Sequence, residues 1–107
     1  MSLRIFFDVK HFYYLPQYLP VKDRLVKHDI KCTFVFHRQS DVKLEEIINK
    51  EILSQHLDVV WVNDWEEALQ TYESIAPDWV IFGNAINDID KINVKSKTAM
   101  MLHGIGP

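Results

Sequence analysis

The sequence predicts an α/β domain with a mainly parallel sheet. Short apolar runs rich in aromatic and β-branched residues alternate with amphipathic stretches of helical period along the 107 residues. The apolar runs are continuous rather than alternating, as in strands that are covered by helices on both faces. The connections are short, and strand–helix–strand units joined in this way form right-handed crossovers. We therefore predict a three-layer Rossmann-like domain with a five-stranded parallel sheet in the order 3-2-1-4-5.

The apolar runs define the predicted strands. Each contains several aromatic or β-branched residues and is bounded by charged or turn-forming positions. The five predicted strands are Arg4–Val9, Lys31–His37, 58–62, 78–84 and 98–104.

The amphipathic stretches between the strands predict three helices, at 17–28, 40–56 and 64–75. Proline is tolerated near the first turn of a helix, so Pro20 indicates that the first helix begins close to Leu19. Residues 85–94 are polar and weakly periodic, and they predict one or two further turns of helix.

Capping residues support two of these helices. Ser40 or Asp41 can cap the second helix. Asp64 and Glu67 form an Asp version of the capping box at the start of the third helix. We therefore interpret Asp64 as a structural cap rather than as a catalytic acid.

Composition narrows the partners and the compartment. The chain has 12 Lys or Arg and 15 Asp or Glu, a net charge of −3, with no basic run, so it is not expected to bind nucleic acid. Cys32 lies inside an apolar run without a visible activating neighbour, which predicts a buried thiol in a reducing compartment rather than a catalytic one. No stretch approaches the roughly 20 apolar residues of a membrane span, and no signal peptide is evident. We expect a cytoplasmic protein.

Polar residues gather where the predicted strands end. Open parallel sheets bind ligands beyond this carboxyl edge, chiefly between the two strands where the strand order reverses. In the predicted order the first and fourth strands flank that point, and the fifth lies beside the fourth. His37 and Asp64 are expected further along the sheet, outside the cleft. The residues expected to converge on the cleft are Asp8, His11, Gly83, Asn84 and His103, with Gly104 in the adjoining turn.

His103 allows two interpretations. Its ring can satisfy a backbone carbonyl at the strand end, which is a common structural role. Alternatively, Gly104 and Gly106 permit unusual backbone angles and the close approach of a ligand. An imidazole exposed beside such a turn can act as a general base.

Several common ligand motifs are absent from the sequence. The loop after the first strand has no glycine, so there is no GxGxxG dinucleotide fingerprint, and there is no Walker A loop. No cluster of His, Cys and Asp has metal-ligand spacing. A phospho-receiver domain would need a lysine closing the fifth strand, and a flavodoxin would need a Ser/Thr-rich loop after the first. We expect neither a cofactor nor a metal.

Two segments, "RIFFDVKHFYYLPQYLPV" and "KTAMMLHGIGP", resemble the amino-terminal region of CDP-glycerol glycerophosphotransferase-like proteins. These are two-domain GT-B enzymes that build teichoic-acid-like surface polymers. The resemblance covers essentially the whole chain and implies the Rossmann-like, acceptor-side domain of the pair. It also implies that His103 deprotonates the acceptor hydroxyl, with Gly104 as its turn residue.

The resemblance further implies the partners. The acceptor would be a hydroxyl of a surface-polymer precursor, and the CDP-activated donor would be held by a carboxyl-terminal domain outside these 107 residues. The 107 residues alone would then be inactive. Any peripheral association with the inner face of the membrane would come from regions outside them.

Two alternatives stay open. An "HG" pair after a strand also occurs in sugar-nucleotide 2-epimerases and other GT-B proteins, so the domain could belong to an epimerase or a glycosyltransferase. It could also be a non-enzymatic α/β interaction module.

Overall fold

Five strands form a single parallel sheet in the computed structural model, which describes residues 3–83, 92 and 95–101. The strands are β1 (Arg4–Val9), β2 (Lys31–His37), β3 (Val59–Val62), β4 (Trp79–Phe82) and β5 (Lys97–Met100). All neighbouring pairs are parallel, and their order is β3-β2-β1-β4-β5. The predicted fold class and strand order are confirmed.

Helices cover both faces of this sheet. A 3₁₀ turn (Phe12–Tyr14) leads into α1 (Leu15–Lys27), and the other two helices are α2 (Val42–Gln55) and α3 (Trp65–Ile75). Buried residues of α1 and α2 pack with one face of the sheet, and buried residues of α3 pack with the other. No described helix has the length and apolar character that a membrane crossing requires.

The face under α1 and α2 is built from aromatic rings. Phe7 of β1 is fully buried and stacks on Phe34 of β2, with ring centroids 5.0 Å apart and an interplanar angle of 14°. Tyr18 of α1 lies against the same Phe7 ring at 5.0 Å. Trp61 and Trp79 are half-buried and pack against this core.

The face under α3 is made by the alternate residues of the same strands. Buried side chains of β1, β2, β3 and β4 pack there against Ala68 and Tyr72 of α3. The strand residues are Phe6, Val35, Val62, Val80 and Phe82. Because successive side chains of a strand point to opposite faces, Asp8 lies on this side, two residues after Phe6.

Most predicted boundaries agree with the structure, but α1 begins earlier than expected. β1 and β2 have the predicted limits. The predicted start of α1 near Leu19 is wrong, because the 3₁₀ turn continues directly into the helix at Leu15 and Pro16 occupies its first turn. Pro20 therefore lies inside the helix. Most of the stretch 85–94 lies outside the described residues. Ile92 is described, and it is buried with the core residues on the face under α3.

The predicted caps are present. Asp41 Oδ1 accepts hydrogen bonds from the backbone N–H groups of Lys43 and Leu44. Asp64 Oδ1 accepts from the N–H of Glu67 at 2.8 Å. The Glu67 carboxylate in turn accepts a hydrogen bond from the backbone N–H of Asn63, the residue before the cap. The side chains of Asp64 and Glu67 therefore each satisfy a backbone donor at the start of α3.

Two adjacent isoleucines in α2 test the packing. Ile48 is 1% exposed, whereas Ile47 is 53% exposed. We expect Ile48→Val to lower the free energy of unfolding by about 0.5–1.5 kcal/mol, because a methylene is removed from a packed core. The same change at Ile47 should stay within about 0.5 kcal/mol. Urea unfolding measures both, and equal losses at the two positions would contradict the assigned burial.

Candidate functional site

A buried carboxylate lies near the carboxyl end of β1. Asp8 Oδ2 accepts a hydrogen bond from the Tyr72 hydroxyl at 2.5 Å. Nε2 of His37 lies 3.1 Å from both Oδ1 and Oδ2. The Asp8 side chain is 4% exposed and the His37 side chain 8% exposed. We call Asp8, His37, Tyr72 and Tyr18 the Asp8 cluster.

The sequence predicts that His37 lies outside the cleft, but in the structure it contacts Asp8, one of the predicted cleft residues. In the parallel register of β1 and β2, Asp8 lies opposite Val35. His37 is two residues further along β2, so its side chain points to the same face as Val35 and meets the Asp8 carboxylate diagonally. Asp64 caps α3, as the sequence predicts.

The tyrosine hydroxyls in this cluster act as permanent donors. Burial, followed by the negative charge of Asp8, raises the pKa of Tyr72 well above its ordinary value. Burial also raises the pKa of Tyr18, whose hydroxyl donates to the backbone carbonyl of Asp8 at 2.9 Å. Both groups therefore stay protonated across the physiological range. The Asp8 carboxylate is therefore held by protein partners and is almost closed to solvent.

Trp65 covers the cluster from the start of α3. Its ring is stacked with the His37 imidazole, with centroids 6.4 Å apart and an interplanar angle of 13°. It also meets Phe82, at the end of β4, edge to face at 6.0 Å. The Asp8 and His37 side chains thus lie between the sheet and α3.

The segment after β1 carries aromatic side chains to the surface. His11 and Tyr13 are exposed, and their rings stack at 5.3 Å with an interplanar angle of 6°. The buried Tyr14 ring stands nearly perpendicular to both. Burial, and then the hydrogen bond with Tyr13, raises the pKa of Tyr14 to about 12. Because it follows the end of β1 by two residues, His11 lies at the carboxyl edge, where the sequence predicts it.

Gly83 packs against the Tyr14 ring and is not open to the cleft. It is buried, and a Cβ added there would lie 2.5 Å from Cγ and Cδ2 of the Tyr14 ring. The absence of a side chain at the end of β4 is what allows Tyr14 to pack there.

The remaining predicted residues, Asn84, His103 and Gly104, lie outside the described residues. The strands that lead toward them are described. The N–H of Met101 donates to the carbonyl of Phe82 at 2.7 Å, so β5 stays paired with β4 up to the carboxyl edge.

The described residues offer neither a reactive thiol nor a metal site. Cys32 is free and buried, and burial raises its pKa to about 11, which agrees with a structural thiol. Within 3–83, 92 and 95–101, no group of three or more His, Cys, Asp or Glu residues could hold a metal ion.

No protein-family model matches this chain, and a search of curated proteins finds no significant relative.

The Tyr14 contact makes Gly83 a sharp test of this edge. We expect Gly83→Ala to lower the free energy of unfolding by about 1–3 kcal/mol, because the added methyl group would overlap the Tyr14 ring. In a Tyr14→Ala background the same change should cost much less, since the ring is gone. Urea unfolding of the four proteins gives both differences. An equal cost of Gly83→Ala in the two backgrounds would exclude the overlap as the cause.

Proposed function

We propose that this chain is the acceptor-side domain of a transferase that moves glycerophosphate, or another phosphopolyol, from a CDP-activated donor to an acceptor hydroxyl. The acceptor would be a precursor of a cell-surface polymer, and the reaction would take place in the cytoplasm or at the inner face of the membrane. The donor would be bound by a second domain outside these 107 residues.

The support comes from the topology of the carboxyl edge. β1 and β4 are adjacent, and the connections to their outer neighbours run in opposite directions, so the order reverses between them. Crevices at such a reversal are where open α/β sheets bind ligands. His11 and Tyr13 are exposed just after β1, at the carboxyl edge of the sheet, where the parallel strand β4 also ends.

The observation that carries the proposal is the pairing of β5 with β4. This pairing extends to the Met101–Phe82 hydrogen bond at the carboxyl edge. The proposal assigns the base to His103, which follows Met101 by two residues in the sequence.

The chemistry needs one proton acceptor on this side of the cleft. The His103 imidazole would take the proton of the acceptor hydroxyl as its oxygen attacks the β-phosphorus of the donor. The new oxygen–phosphorus bond forms while the bond from that phosphorus to the bridging oxygen breaks. CMP leaves with the electron pair of that bond, and the acceptor gains the glycerophosphate.

The test is the release of CMP by the full-length protein supplied with CDP-glycerol and an acceptor. We expect His103→Ala to lower kcat by about 100-fold or more, the usual contribution of a positioned general base. His28→Ala is the matched control, because His28 is exposed at the carboxyl end of α1, at the opposite edge of the sheet.

Undiminished CMP release by His103→Ala would overturn the assigned role. Turnover of a sugar nucleotide, with none of CDP-glycerol, would favour the epimerase or glycosyltransferase alternative instead.

A further inference from the structure

We propose that Asp8 is a positioning residue: its buried carboxylate, held by His37 and Tyr72, fixes the segment that presents His11 and Tyr13 to a ligand. We call residues 9–14 the edge segment. This inference rests on the proposed function, because it assigns the edge segment to the acceptor-binding side of that site.

The first support is the burial of the carboxylate. A carboxylate removed from water is strongly unfavourable unless donors or opposite charges replace its hydration. In Asp8 the replacements come from two other elements, His37 at the end of β2 and Tyr72 in α3. Any movement of Asp8 would break these contacts and leave a buried charge without donors, so the position of Asp8 is strongly restrained.

The second support is a tie from the opposite face of the sheet. Tyr18 of α1 donates its hydroxyl to the backbone carbonyl of Asp8, and this contact is buried. The side chain of Asp8 is thus held from the α3 face, and its backbone is held from the α1 face. The next residue, Val9, is itself 1% exposed. The start of the edge segment is therefore fixed from both sides.

The third support is at the far end of the edge segment. The Tyr14 ring packs against Gly83, and the Tyr14 N–H donates to the carbonyl of His11 at 3.0 Å. The segment is anchored at Asp8 and again at Tyr14, while His11 and Tyr13 between these anchors are exposed. A segment ordered before binding loses less conformational entropy when a ligand arrives, which strengthens binding without adding a contact.

Hydrogen–deuterium exchange of the full chain tests the restraint. Tyr72→Phe removes only the hydroxyl that donates to Asp8. Thr71→Val is the matched control, because it removes a hydroxyl from the same helix, one that donates to the carbonyl of Glu67 at 2.9 Å. We expect amides of the edge segment to exchange at least about tenfold faster in Tyr72→Phe, since hydrogen bonds to charged groups are among the stronger ones.

The proposal requires that the faster exchange be confined to the edge segment. Amides of α2, which packs on the opposite face of the sheet from α3, should change no more in Tyr72→Phe than in Thr71→Val. A uniform rise across the chain, or a rise in the edge segment no larger than the control's, would overturn the proposal. If Tyr72→Phe does not fold, Tyr18→Phe removes the tie on the other face and must give the same selective increase.

Kinetics provide a second readout that a purely structural role would not move. In the CMP-release assay, Tyr72→Phe should raise the KM for the acceptor several-fold and leave kcat within about twofold, because binding rather than proton transfer depends on the edge segment. A loss in kcat with an unchanged KM would overturn the positioning role. The exchange measurement needs no substrate, so failure of the transferase proposal and failure of this one are distinguished.

Discussion

The buried carboxylate of Asp8 is the constraint on which the carboxyl edge of this sheet depends. It stands near the end of the central strand β1, where a charge without partners would be severely unfavourable. The fold satisfies it with His37 from the neighbouring strand and Tyr72 from the helix above, and Tyr18 holds its backbone from the other layer. Through this one residue, the two faces of the sheet are tied together at the edge where parallel sheets bind ligands.

At this edge, the buried side chains that restrain the backbone are different from those that are exposed to solvent. Asp8 and His37 are buried on the α3 side of the sheet, whereas His11 and Tyr13 are exposed on the segment that follows β1. Gly83 lets the Tyr14 ring close the far end of that segment. The edge therefore combines a restrained buried layer with a small exposed aromatic surface.

The sequence predicts the fold well because its strand signals are local. β1 and β2 are continuous apolar runs that begin at charged residues, so their limits follow from periodicity alone. The start of α1 is missed because the proline rule favours Leu19, whereas a 3₁₀ turn already sets the helix direction at Leu15. The Asp8–His37 contact is missed for a different reason. It depends on the register between strands, and only the parity of Asp8 and His37 within their strands could have indicated it. The contact of Gly83 with Tyr14 joins residues far apart in the chain and has no local signal.

A double-mutant cycle between Asp8 and Tyr72 tests the central constraint most directly. Asp8→Asn, Tyr72→Phe and the double variant are compared with the native chain by urea unfolding, so that the energy of the pair is separated from the other effects of each change. If the carboxylate depends on this hydroxyl, the two losses are non-additive by at least about 1 kcal/mol. Losses that add to within about 0.5 kcal/mol would show that the two groups are energetically independent, and the carboxyl edge would then have to be held by other contacts.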